Sequence, residues 1–143
     1  MTKKVTKKLV SFAIFQLKVY RPKEVISGMA LGWDQAIAHA AYLEKIPFVA
    51  AIPFRGQELM WPKHSQELYN SLVKVASEVE IICSGEYSPS KMQTRNEWMV
   101  NNSSHVMALW DGTGGGTKNC VDYALKINKP VINVWSEWRK YGI

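Results

Sequence analysis

Four glycines fall within five residues in WDGTGGGTKNCVDYA, residues 110–124: Gly112, Gly114, Gly115 and Gly116. Glycine at this density costs conformational entropy. The stretch lies between an apolar run, HVMALW, and a helical pattern, TKNCVDYALKIN. A glycine turn in that place lets backbone N–H groups approach an anion closely. The start of the helix adds its own unpaired N–H groups and the positive end of its dipole. Thr117 carries a hydroxyl for capping that helix or for a phosphate oxygen, and Asp111, at the strand end, can accept hydrogen bonds from sugar hydroxyls. A tight turn that only joins strand to helix is the competing reading of one such loop. A second glycine segment, GMALGWD at residues 28–34, stands in the same relation to its strand and helix, and the pair favours a phosphate or nucleotide site. Neither loop has the spacing of a P-loop or of a dinucleotide fingerprint, and no metal or cofactor is expected.

The segment KMQTRNEWMV adds a cation. On a helix, Met92, Arg95, Asn96 and Met99 share one face. Two methionines turn that face inward, and an inward arginine needs a partner. Either Arg95 reaches an anion in a cleft, or it makes a structural salt bridge to Glu97 or Glu86. On the first reading, Arg95→Ala weakens ligand binding with little loss of fold stability.

Strands and helices must hold these groups in place. A helix with a broad apolar face is expected over residues 5–20, then the strand EVIS. Helix GWDQAIAHAAYLEK leads to the apolar strand IPFVAAIPF, which reads as buried on both faces. Helix HSQELYNSLVKVA, strand VEIIC, helix KMQTRNEWMVNN, strand HVMALW, helix TKNCVDYALKIN and strand PVINVW follow. Alternation of this kind predicts an α/β fold, a Rossmann-like three-layer sandwich with a mostly parallel sheet of about five strands. Ligands bind such sheets at the C-terminal ends of the strands, where both glycine loops fall.

Composition bounds the rest. A chain of 143 residues with 47% hydrophobic and 21% charged residues suits one domain, residues 1–143, with a real core. No apolar run approaches the roughly 20 residues of a membrane span. The opening MTKKVTKKL, followed by LVSFAIF, has a charged-then-apolar layout, but QLKVYRPK follows in place of a small-residue cleavage site. It reads as an amphipathic helix of a cytoplasmic protein. The net charge of +6 owes much to Lys3, Lys4, Lys7, Lys8 and Lys18, a solvated lysine face, and no nucleic-acid signature accompanies it. Cys83 and Cys120 lack metal-ligand spacing and fall in apolar patterns.

Four motifs in order, VISGMALGWDQAIAHAA, PFVAAIPFRGQELMWP, KMQTRNEWMVNNSSHVMALWDGTGGGTKNCVDYA and KPVINV, resemble the YpsA-like branch of the SLOG superfamily. That superfamily also holds the Lonely-Guy phosphoribohydrolases and the DprA/Smf proteins, and some members are thought to act in phage and bacterial conflict. The resemblance implies a nucleotide or nucleotide-derived ligand at the strand ends. It puts Ser27, Gly28, Met29, Ala30, Gly32 and Asp34 in a first ligand loop. A second would hold Pro53, Phe54, Gly56 and Gln57, with Trp61 close by. Arg95 and Asn96 match the arginine–lysine pair of the Lonely-Guy enzymes, whose arginine is catalytic, and GGGT matches their phosphate loop. Where those enzymes carry a catalytic glutamate this chain has Cys120, preceded by Asn119. Asp111 and Glu97 are the carboxylates that remain as candidates, with Arg95, for an N-glycosidic hydrolysis.

YpsA-like proteins begin with a strand and a GHR-type loop, and this chain is read as starting at the following helix. The expected consequence is a gap in the sheet with unpaired backbone groups. The leading expectation is a nucleotide binder. A nucleoside-monophosphate N-glycosidase is the alternative, and an interaction protein with a vestigial pocket is a second one. A homodimer is expected from the apolar residues Phe12, Ala13, Ile14 and Phe15 and from Trp98, Trp135 and Trp138, which lie off the core stripes. Its interface would use the first helix and the tail WSEWRKYGI, with Arg95 or Trp98 completing a neighbour's pocket.

Overall fold

A computed structural model describes residues 3–141, so the tail positions Gly142 and Ile143 lie outside the described residues. The chain runs α1 (Lys3–Tyr20), β1 (Val25–Ser27), α2 (Trp33–Leu43), β2 (Phe48–Ile52), α3 (Lys63–Val75), β3 (Glu78–Ile81), α4 (Pro89–Asn101), β4 (Val106–Ala108), α5 (Gly116–Lys126), β5 (Val131–Asn133) and α6 (Trp135–Lys140). Every strand pair is parallel. The five strands do not form one sheet, however. They form a three-stranded sheet ordered β1-β2-β3 and a separate pair, β4-β5.

That split corrects the expected single sheet. Side chains take up the space around it. Trp33 of α2 donates its indole N–H to the Met107 carbonyl of β4 at 3.4 Å, so one backbone acceptor of the divided sheet is met by a side chain. The Phe12 ring, almost fully buried, stacks on Trp33 at 6.0 Å, Trp138 at 5.4 Å and Tyr141 at 5.1 Å. Lys8 lies over the Trp138 ring at 4.9 Å. The tail therefore docks on its own α1, and Trp138 belongs to the core after all.

Helix α1 begins with lysines and has no acidic residue in its first turn, the unfavourable sign for the helix dipole. Packing sustains it through Leu9, Phe12, Ala13 and Leu17, set against the alanine-rich face of α2, Ala36, Ala40 and Ala41. Strand β2 is buried at all five positions, as its unbroken apolar run predicts. Helix α4 starts earlier than expected, at Pro89, because Ser88 caps it by accepting from the Lys91 N–H and proline suits the first helical position. Strand β5 stops at Asn133, and Trp135 opens helix α6, which the apolar run PVINVW did not foretell.

Candidate functional site

Everything at the site converges on the carbonyl of Gly28, just past β1. The Arg95 Nη1 donates to it at 2.6 Å and to the Ala51 carbonyl of β2 at 3.3 Å. Gln57 Nε2 donates to the same Gly28 oxygen at 3.2 Å and to the Tyr69 hydroxyl at 3.5 Å. Arg95 Nε donates to Asn96 Oδ1 at 3.0 Å, and Asn96 Nδ2 reaches the Gly116 carbonyl at 3.4 Å. A chain of hydrogen bonds thus runs from the loop after β2, through the first glycine loop, to the start of α5. It ties the three-stranded sheet to the helix that leaves the two-stranded one.

Gly28 is glycine because nothing larger fits. An added Cβ would lie 2.5 Å from Arg95 Nη1 and 2.9 Å from Asp34 Oδ2. The rest of the first loop is wound on itself. Ser27 Oγ donates to the Asp34 carbonyl at 2.6 Å and accepts from Met29 N–H at 3.1 Å. Gln35 donates to the Met29 carbonyl, and Asp34 Oδ2 accepts from Ala30 N–H at 3.3 Å. Met29 is held fully buried at φ 61, a conformation that non-glycine residues adopt only under such constraint. Gly32 precedes α2 at φ 90.

Arg95 is 4% exposed. Its expected partners Glu97 and Glu86 are not its partners. Glu97 accepts from Gln93 on its own helix, and Arg95 is bonded to backbone carbonyls and to Asn96. Arg95 does not pair directly with Asp34 either, since the ion pairs among the described residues are Lys18–Glu44 and Lys118–Asp122. Gln93 Oε1 is the one buried side-chain polar atom without a partner among the described residues. The structure shows no protein hydrogen-bond partner for the Nη2 of Arg95 or the Oδ1 of Asp34.

Burial pushes the Asp34 carboxyl above its ordinary value, opposed by the Arg95 charge and the Ala30 N–H. Burial lowers Arg95, opposed chiefly by Asp34. The Cys120 thiol is pushed up to about 11, first by burial and then by Asp34, so it stays protonated and inert as a nucleophile. Asp111 behaves oppositely. It is exposed, and its Oδ1 accepts from both the Thr113 hydroxyl at 2.6 Å and the Thr113 N–H at 3.0 Å, which holds its carboxyl below the ordinary range. Asp111 shapes its own turn and is a poor general base.

The second glycine loop is open. Gly112 and Gly115 have φ of 93 and 129, and an added Cβ at Gly112, Gly114, Gly115 or Gly116 would touch no protein atom within 4 Å. Gly115 is the N-cap of α5, so Thr117 lies inside the helix and does not cap it. No side chain caps the first turn, and no acidic residue lies in it. Its backbone N–H groups and dipole face the surface uncompensated. A cavity of about 190 Å³ lies there, lined by Leu109, Trp110, Asp111, Thr113, Trp135 and the loop itself, residues 114–117.

Several expected ligand residues also pack within the protein. Pro53 and Phe54 are buried, with Phe54 packed edge-on against Tyr87 at 5.9 Å. Gly56, at φ 90, shapes a turn against Leu59. Trp61 stacks on Tyr69 at 5.4 Å, and Asn119 is exposed on α5. The sequence does not single out Trp110 and marks Trp135 only as an interface residue, although each ends an apolar strand run and both line the cavity at the second glycine loop.

Over residues 4–130 the chain matches the family described as the YspA SLOG family. It is 35% identical over 117 residues to the "Uncharacterized SPbeta prophage-derived protein YoqJ" of Bacillus subtilis, covering 71% of this chain and 68% of that protein. It is 27% identical over 85 residues to "UPF0398 protein BH1768" of Halalkalibacterium halodurans, covering 59% of this chain and 43% of that one. Among solved structures it is similar to DNA processing protein A (DprA) of Streptococcus pneumoniae, with a TM-score of 0.63 and 18% identity. The match covers 92% of this chain and 45% of DprA, so this chain spans less than half of that protein. At that identity the likeness shows the fold, the Rossmann-like α/β architecture expected from the sequence. No helix among the described residues is long and apolar enough to cross a membrane.

Proposed function

The chain belongs to the YspA SLOG family, and from that premise we propose that it binds a nucleotide or nucleotide-derived ligand at the glycine loops on the C-terminal edge of its strands. One observation carries the reading. The start of α5 offers an uncapped, uncompensated helix N-terminus behind glycines that the protein's own packing does not require. Arg95, linked to that helix through Asn96 and Gly116, adds a positive charge at the same edge of the strands, with its Nη2 left without a protein partner. Calorimetric titration with nucleoside monophosphates tests this directly. Saturable binding supports the proposal, and heats no different from buffer across the common bases overturn it in favour of a vestigial pocket.

A second reading, an N-glycosidic hydrolase acting on a nucleoside monophosphate, is favoured by Asp34. A carboxyl raised by burial beside Arg95 can donate a proton to a departing base while water adds to the anomeric carbon. It stands in for the absent glutamate better than Asp111 or Glu97. Under this reading Asp34→Asn abolishes base release by about 100-fold or more, the scale of a lost general acid, and keeps nucleotide affinity. Chromatographic assay of free base checks it, and equal release by the two proteins would exclude Asp34.

The same protein is proposed to be a homodimer. Phe15 and Val19, one helical turn apart on α1, are 55% and 57% exposed, and Leu43 of the neighbouring α2 is 49% exposed. Trp138 and Tyr141 of the tail pack on Phe12 of their own chain and Arg95 is bonded within it, so the exposed face of α1 and α2 is the interface proposed. Light scattering at micromolar concentration is expected to give twice 16.3 kDa and to fall to one chain for the Phe15→Glu, Val19→Glu variant. A parent mass of one chain refutes it.

A further inference from the structure

We propose that Trp110 and Trp135 form an aromatic platform beside the second glycine loop that stacks the base of the bound nucleotide. The inference rests on the nucleotide reading above and names the part of the ligand that reading leaves open. Of the chain's six tryptophans, Trp98 lies on α4 and does not line the cavity, while Trp33, Trp61 and Trp138 pack against the core. Trp110 and Trp135 do not, and neither stacks on another ring among the described residues. Both are half-buried and line the same cavity as the glycine loop.

Their positions are held by more hydrogen bonds than a casual surface residue needs. Asn133, the last residue of β5, accepts from the Trp110 N–H at 3.2 Å and the Trp135 N–H at 3.1 Å, and donates to the Trp110 carbonyl at 3.0 Å. One amide side chain thereby fixes the backbone of both tryptophans at the ends of β4 and β5. The Trp110 indole N–H donates to the Thr113 carbonyl at 2.8 Å, which lays the ring against the loop. Large flat apolar surface, fixed in place and left without a partner ring, is what a planar aromatic ligand recognises. Stacking tolerates any base, because each presents a π-face. Inorganic phosphate and ribose 5-phosphate have no such face.

The test compares a nucleoside monophosphate with ribose 5-phosphate, by calorimetry and by quenching of tryptophan fluorescence. The parent is expected to bind the nucleotide about tenfold or more tightly than the sugar phosphate. Trp135→Leu removes that preference and leaves ribose 5-phosphate affinity unchanged, whereas Trp110→Leu, which also loses the indole bond to the Thr113 carbonyl, removes the preference and weakens both ligands. The phenylalanine variant at each position restores most of it, which separates stacking from mere folding. Equal affinity of the parent for the two ligands, or leucine variants that keep the preference, overturns the platform and leaves the phosphate site standing. Failure of the parent to bind either ligand overturns the nucleotide reading itself and the platform with it.

Discussion

Arg95→Ala is expected to lower the melting temperature by about 10 °C, the equivalent of about 3 to 5 kcal/mol in a chain of this size. The side chain is buried and makes three bonds across the molecule, to Gly28, Ala51 and Asn96. Its loss leaves the Ala51 carbonyl without that donor, a cavity under Gly28, and the Asp34 carboxyl without its nearest compensating charge. The sequence alone led to a loss of affinity with little loss of stability. Burial and the backbone partners replace that expectation with a loss of both. Arg95→Lys does not rescue the fold, because a single ammonium cannot reproduce the guanidinium's fork toward the Gly28 and Asn96 oxygens at once. Urea denaturation followed by circular dichroism measures the effect, and a midpoint shift within error of zero would show that Arg95 is a ligand group alone.

Gly114→Val is the converse experiment. Its effect should fall almost wholly on binding, about 100-fold, the scale of losing two backbone contacts to a charged phosphate. Gly114 does not have a positive φ, and an added side chain meets no protein atom, so the fold has no need of glycine there. Removing a glycine restricts the unfolded chain and leaves stability unchanged or slightly raised. Gly115→Val differs in one respect. At φ 129 it strains the backbone as well, so it loses stability and affinity together. A Gly114 variant that binds nucleoside monophosphates as well as the parent would remove the second loop from the site.

The alternation of strand and helix, the two glycine loops at strand ends and the inward face of α4 were all legible from the residues. Each depends on neighbours within a few positions of the chain. Apolar run length marks β2, and helical spacing brings Met92, Arg95, Asn96 and Met99 to one face. Gly28 could be read as a loop glycine, but its reason, a guanidinium lying on its Cα, is visible only in three dimensions.

What the tertiary structure decided lies in partners far apart in the chain. Besides the adjacent Asn96, the acceptors of Arg95 are 67 and 44 residues away, and both are backbone carbonyls. Every residue has a carbonyl, so no side-chain pattern can announce which one is chosen, and the nearby glutamates looked the better partners. The division into three and two strands is of the same kind. It depends on whether Phe12, Trp33 and Trp138 pack beside the divided sheet more favourably than one continuous ladder would form, a balance of non-local burial against hydrogen bonding. Pro53 and Phe54 likewise sit at a strand end where the sequence places ligands, and the partner of Phe54, Tyr87, is a residue 33 positions away that no local pattern announces. Local sequence determined which elements exist and where their glycines fall; long-range packing determined which polar groups were left over to meet a ligand.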